Sequence, residues 1–298
     1  MATSRPAGVE AGGHTADDGL YGPDSVTWRV VAHPSIGLGG TAAAMVQMLY
    51  PPVMYVIDQA SSVRENPELR AKRTGDYTAT ITFGDTATAE NAGAMLRRLH
   101  STRKAVGPDS GRPLRADDPA LLEWVHNSLT WSMLRSFETY GPGLSPAERD
   151  RFVAEQRIAA RLVGCDPDSV AQTAAELDAY MAAMEGKLAL SEPCLWFRDM
   201  VSPGGLAVKP ADAVKGLMTR AAIALMSPLH RDLYGFKQSR LGRRATVAAT
   251  RALLAGATSK LPLEAAIPQV REYVDAHAFG ARRRRAVVPD PVGAADPG

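Results

Sequence analysis

Histidines, arginines and a threonine at helical spacing are the residues of this chain best suited to chemistry. In the run Thr88 to Lys104, Ala92, Leu96 and His100 follow at i, i+4 and i+8, with Met95 and Leu99 beside them and Arg97 and Arg98 pointing elsewhere. That pattern turns the His100 imidazole toward the apolar side of a helix. In the next apolar run Leu122, His126, Leu129 and Met133 share a face in the same way. An inward imidazole is either a hydrogen-bonded core residue or a metal ligand, and spacing alone leaves both readings open. The other histidines are weaker candidates: His14 and His277 lie near the ends of the chain, and His33 and His230 flank prolines or turns.

Arg70 and Thr74 stand at i and i+4 on a predicted helix that Asn66-Pro67 begins, with Arg73 adjacent. An arginine on a helix that must also pack is suited to pair with a buried carboxylate. Glu138, Glu155 or a haem propionate would each serve. Simpler metal chemistry finds less support. There is no H-E-x-x-H, Glu123-x-x-His126 occurs once where a di-iron bundle needs two such pairs, and C-x-x-C-H is absent. No G-x-S-x-G supports a serine hydrolase. Gly37-Leu38-Gly39-Gly40 opens a helical pattern but lacks the third glycine of a dinucleotide fingerprint, since Ala42 stands there, and no βαβ unit surrounds it. Close packing of a helix is the reading it supports.

The elements that must position these side chains are helical. Asp118-Pro119 and Ser145-Pro146-Ala147-Glu148 are helix starts, the second a capping box. Ser169 is placed to cap a run reaching Met184, and Leu190 to Met200, Ala211 to Met226 and Arg243 to Ala255 are further helix candidates. The β-branched alternation from Tyr77 to Phe83 predicts one strand. A single strand makes no sheet, so the expectation is an all-α fold, a single multi-helix bundle of globin-like architecture. Residues 1–24 and 281–298 read as a disordered leader and tail around a helical domain at 25–280.

Composition narrows the classes. Of 298 residues 34 are Lys or Arg and 32 Asp or Glu, so no general basicity points to nucleic acid. The run Arg282 to Arg285 is either a solvated tail or a weak contact for an anionic surface. Two cysteines, Cys165 and Cys194, build neither a disulfide framework nor a Cys-rich zinc site, which suits a cytoplasmic setting. No apolar run has the length of a transmembrane segment, and no secretory signal pattern opens the chain.

The ordered series Asn66-Pro67-x-x-Arg70-x-x-Arg73-Thr74, Phe83-Gly84-Asp85, Arg97-Arg98-Leu99-His100, Asp118-Pro119, Trp124-Val125-His126 and Leu144-Ser145-x-x-Glu148 resembles the MpaB oxygenase family, which includes rubber oxygenase (latex-clearing protein). The resemblance spans roughly residues 25–240. It implies a noncovalent b-type haem in a helical bundle, with His100 as proximal iron ligand and His126 as a second-choice ligand or pocket residue. Arg70 and Thr74 would bind a propionate or shape the distal pocket. Arg73 replaces a lysine of rubber oxygenase and is a poor iron ligand. The resemblance further implies O2 as oxidant, taken opposite His100, and an apolar or isoprenoid-like substrate that undergoes oxidative C=C cleavage. Two other readings of the chain are a non-catalytic helical ligand-binding or regulatory protein and a haem peroxidase or hydroxylase. Met45, Met48 and Met54 suit a pliable apolar cavity or an ordinary core.

Overall fold

A computed structural model describes residues 17–108, 111–202 and 210–280; His14 and the Arg282–Arg285 run lie outside them. Helix starts come where the caps predict. Ser25 accepts from Trp28 N at the head of α1 (Val26–Ala32), and α2 (Ile36–Met48) and α3 (Pro51–Ala60) follow. Asn66 caps α4 (Pro67–Phe83) and Asp85 caps α5 (Thr86–Thr102). A two-stranded antiparallel hairpin, β1 (Lys104–Val106) with β2 (Pro113–Arg115), leads to α6 (Pro119–Tyr140), capped by Asp118. The capping box Ser145–Glu148 opens α7 (Pro146–Glu155), followed by α8 (Arg157–Val163), α9 (Ala174–Met184) and α10 (Glu192–Val201). The last four helices are α11 (Pro210–Leu225), α12 (Pro228–Tyr234), α13 (Arg240–Lys260) and α14 (Leu263–His277). The fold is all-α.

At the centre α2 lies along α6. Ser136 Oγ donates to Ser35 O at 2.7 Å at one end. At the other, Gln47 Nε2 donates to Val125 O at 3.1 Å and Trp124 Nε1 to Gln47 O at 3.2 Å. These contacts join the start of one helix to the end of the other, so the pair is antiparallel. The glycine turn serves this approach: a Cβ at Gly39 would sit 3.1 Å from Met133 Cα and Ser132 O, whereas one at Gly40 would meet nothing within 4 Å. Around the pair, Met45, Met48, Met54, Trp124, Phe137 and Leu225 form one fully buried core. Tyr140 Oη donates to Ala221 O at 2.8 Å, tying α11 to α6.

Three expectations need correction. Tyr77–Phe83 is not a strand but the second half of α4. Thr74, Thr78 and Thr80 each return their hydroxyl to the carbonyl four residues back, so these polar side chains are satisfied within the helix. Tyr77 and Ile81 meanwhile fall one turn apart and pack with Ala92 and Leu162. Ser169 caps nothing; its hydroxyl donates to Asp166 O at 2.9 Å, and Thr173 caps α9 instead. Residues 17–24 of the expected leader are tied to the helices, because Asp17 accepts from Thr86 N at 2.9 Å and Asp18 pairs with Arg271 at 2.6 Å.

No single helix among the described residues is long and apolar enough to cross a membrane. The α2–α3 pair passes that test only together, across a 103° bend. Cys165 and Cys194 are both free and buried.

The two adjacent glycines should respond with opposite signs. Gly40→Ala should raise stability by about 0.5–1 kcal/mol, the usual gain on removing a helical glycine. Gly39→Ala should instead lower it by about 1–3 kcal/mol, because the methyl presses on α6 backbone. Urea unfolding of the two variants beside the parent checks the pair.

Candidate functional site

Helices α4 and α5 pack together and place the Arg70 charge near enough to His100 to act on its titration. Arg70 is half-buried on the first turns of α4. Its guanidinium makes no hydrogen bond or ion pair with any described residue, and burial draws its pKa below the ordinary value. The carboxylates that might have taken it are engaged elsewhere. Glu138 lies 2.6 Å from Arg149, and Glu155 accepts from Arg151 Nε at 2.9 Å and from the backbone of Val26 and Thr27.

His100 stands in the last turn of α5 and is half-buried, and its Nδ1 is fully buried without a partner. Burial chiefly, and the nearby Arg70 charge as well, hold its pKa below 6.5, while Asp117 pulls the other way. His100 is therefore neutral at pH 7, with lone-pair density available. Asp117 is a neighbour that sequence reasoning passed over. Its carboxylate is gripped by Arg115, Nε to Oδ1 at 2.8 Å and Nη2 to Oδ2 at 2.7 Å, which lowers its pKa. Ala116 N donates to Arg103 O at 3.0 Å and fixes that turn against the end of α5. The local sequence Arg115-Ala116-Asp117 carries no signal that it returns to His100.

Arg73 and Thr74 lie on the exposed side of α4, and the Thr74 hydroxyl is spent on Arg70 O at 3.1 Å. The structure does not gather them with His100. His126 is buried on α6, one turn from Leu122, and its ring makes no hydrogen bond to a described residue. Burial pushes its pKa down to about 4. Met45, Met48 and Met54 sit in the packed core among Trp124 and Phe137.

Two histidines demoted for their proline neighbours are in fact buried. His33 is held by Ser35, and His230 packs edge-on to Trp131 at 5.9 Å with both ring nitrogens unpartnered and a pKa pushed down to about 4 by burial. A proline beside a histidine marks a helix start, not exposure; Ser227-Pro228 begins α12 and carries His230 inward.

Among the described residues no three of His, Cys, Asp and Glu gather into a metal-ligand group. What the α4–α5 site offers is one neutral imidazole and one unmatched cation, a donor set suited to a cofactor that carries both a metal and carboxylates of its own. The residues fit a haem.

A family model described as ER-bound oxygenase mpaB/B'/Rubber oxygenase, catalytic domain, matches residues 28–256. The chain belongs to this family. The match runs from α1 into α13 and includes Arg70, His100 and His126. An mpaB/rubber oxygenase domain is an oxygenase, so the chain's activity class is oxidoreductase. Searches of curated proteins and of solved structures gave no match.

The buried histidines make stability depend on pH. His126 and His230 have folded pKa values of about 4 against 6.5 when free. Between those values the unfolded chain binds more protons, so stability falls as pH drops from 6.5 toward 4, by about 1.4 kcal/mol per pH unit for each group. Denaturant midpoints across that window should show this decline, and His230→Leu should flatten it by about half.

Proposed function

We propose that the chain is a b-type haem-dependent oxygenase acting on an apolar or isoprenoid-like small molecule, with O2 as oxidant. The observation that carries the reading is the pairing of an unmatched Arg70 guanidinium with a neutral, unpartnered His100 imidazole inside an oxygenase-family domain. A half-buried cation without a counterion is costly, and so is an orphaned buried ring nitrogen. One bound group that brings both a carboxylate and a Lewis-acidic metal relieves the two costs together.

His100 would hold the iron through its neutral ring and Arg70 would pair with a propionate. Bound haem supplies the O2-dependent redox chemistry. The protein's own contribution is placement and exclusion of water. Burial keeps His100 unprotonated at working pH, so the ring binds as a neutral donor. Asp117, fixed by Arg115, sets a negative charge near that ring and favours electron donation from it. Leu96, one turn before His100, packs with Tyr77 and Ile81, so the interior beside that end of α5 is apolar and suits an apolar substrate. Oxidative C=C cleavage is the reaction the likeness to rubber oxygenase implies for such a substrate.

The test is the visible spectrum of the chain purified after expression with added haem. A Soret band at about one haem per chain is expected, lost or displaced in His100→Ala and kept in His126→Ala. Arg70→Ala should keep the band but release haem about tenfold faster, as expected for removal of a charged hydrogen-bond partner. A colourless protein that refuses haem would overturn the proposal, and loss of the band only in His126→Ala would move the ligand to α6.

A further inference from the structure

Two adjoining clefts run along the α13–α14 side of the bundle. One, of about 600 Å3, is lined by His33, Glu138, Tyr140 and Arg251. The other, of about 340 Å3, is lined by apolar side chains including Ala32, Pro34, Leu261, Ala266 and Val270. Thr258 and Leu263 line both, so the two form one groove with a polar end and an apolar arm. It meets α6 at Glu138, about 18 Å along the helix axis from His126. Neither Arg70 nor His100 lines either cleft, and the apolar arm is built largely beyond residue 256, where the family match ends.

The polar end is organised. His33 is only 5% exposed. Ser35 N donates to its Nδ1 at 3.1 Å, and Ser35 Oγ lies 2.8 Å from the same atom. A ring nitrogen that accepts a backbone N–H carries no proton, so His33 is the Nε2–H tautomer. That Nε2–H has no partner among the described residues, in a side chain that lines the cleft. Arg251 spends Nε on Thr139 O, and its two terminal nitrogens pair with no described residue. Glu138 does not cancel this charge, because Arg149 already lies 2.6 Å from it, in an ionic contact whose angle falls short of a hydrogen bond. The groove therefore joins an unmatched cation and a neutral N–H donor to a recess of aliphatic side chains.

We propose that this groove binds a free single-chain amphiphile with an anionic head, such as a medium-chain carboxylate, its head on Arg251 and His33 and its chain along α14. A carboxylate accepts two donors at once, which suits an arginine beside an imidazole N–H. An apolar surface meant for a bilayer must protrude, whereas these side chains line a recess, which suits a detached molecule.

The experiment is isothermal titration of the full chain with octanoate, decanoate, dodecanoate, dodecanol and dodecylammonium. Carboxylate affinity should rise about threefold per added methylene, and dodecanol and dodecylammonium should bind at least about tenfold more weakly than dodecanoate. Arg251→Gln, a change at an exposed side chain, should weaken dodecanoate at least about tenfold. Ala266→Trp, which fills the apolar arm, should do the same with helical content unchanged. On binding, the imidazole 15N signal of His33 Nε2 should move more than that of Nδ1. His100→Ala should bind dodecanoate as the parent does, so failure of the haem reading leaves this one standing. Dodecanoate binding that ignores both Arg251→Gln and Ala266→Trp would overturn the proposal. So would absence of dodecanoate binding, including the case in which the chain sediments with anionic phospholipid vesicles instead.

Discussion

Position 39 has no side chain, and the architecture depends on that. With only hydrogen there, α2 approaches α6 until Gly39 faces Met133 Cα and Ser132 O across a gap too small for a methyl group to enter freely. Helices that close can exchange hydrogen bonds from side chain to backbone, and these two do so at both ends, through Ser136 with Ser35 and through Gln47 with Val125 and Trp124. Such bonds fix the register of α6 against α2, not only their proximity. The register in turn sets which face of α6 receives α11, through Tyr140 and Arg135, and which carries His126. A neutral histidine at a defined depth is a consequence of backbone packing several turns away.

Much of this fold can be read in the chain. Asn66-Pro67, Asp118-Pro119 and Ser145-Pro146 open helices because a short polar side chain and a proline satisfy a helix start using only nearby atoms. The inward placement of His126 follows from the three-and-four spacing of Leu122, Leu129 and Met133. What escapes such reading depends on distant partners. Tyr77–Phe83 alternates like a strand, yet Trp28 donates to Thr82 O at 2.8 Å and Tyr77 packs with Leu162, contacts that only the helical form presents together. α14 has Pro268 in its interior and ends near the tail, so local rules discourage it. Ile267, Val270 and Val274 nonetheless pack on Trp28 and Phe83.

The candidate site divides in the same way. Spacing put Arg70 on a packing helix and His100 on the next one, but spacing could not show that Glu138 and Glu155 are taken by Arg149 and Arg151. Elimination of those partners gives Arg70 its meaning, and it is a property of the whole assembly. Arg73 and Thr74, adjacent in sequence to the same motif, share none of that burial. A motif reports a neighbourhood of the chain, and within one side of a helix burial can still fall on one member and not the next.

Glu155 has one more consequence, for the order in which the chain can assemble. Its carboxylate accepts the free amides of Val26 and Thr27 and the Thr27 hydroxyl, and Gln156 adds a bond to that same hydroxyl. A seven-residue helix is too short to persist unaided, so α1 relies on an acceptor that lies 129 residues downstream of Val26. On a ribosome the first helix leaves the exit tunnel well before its anchor has been synthesised. α1 gains that acceptor only once α7 has been made, so this one anchor of the helix is a late addition during synthesis.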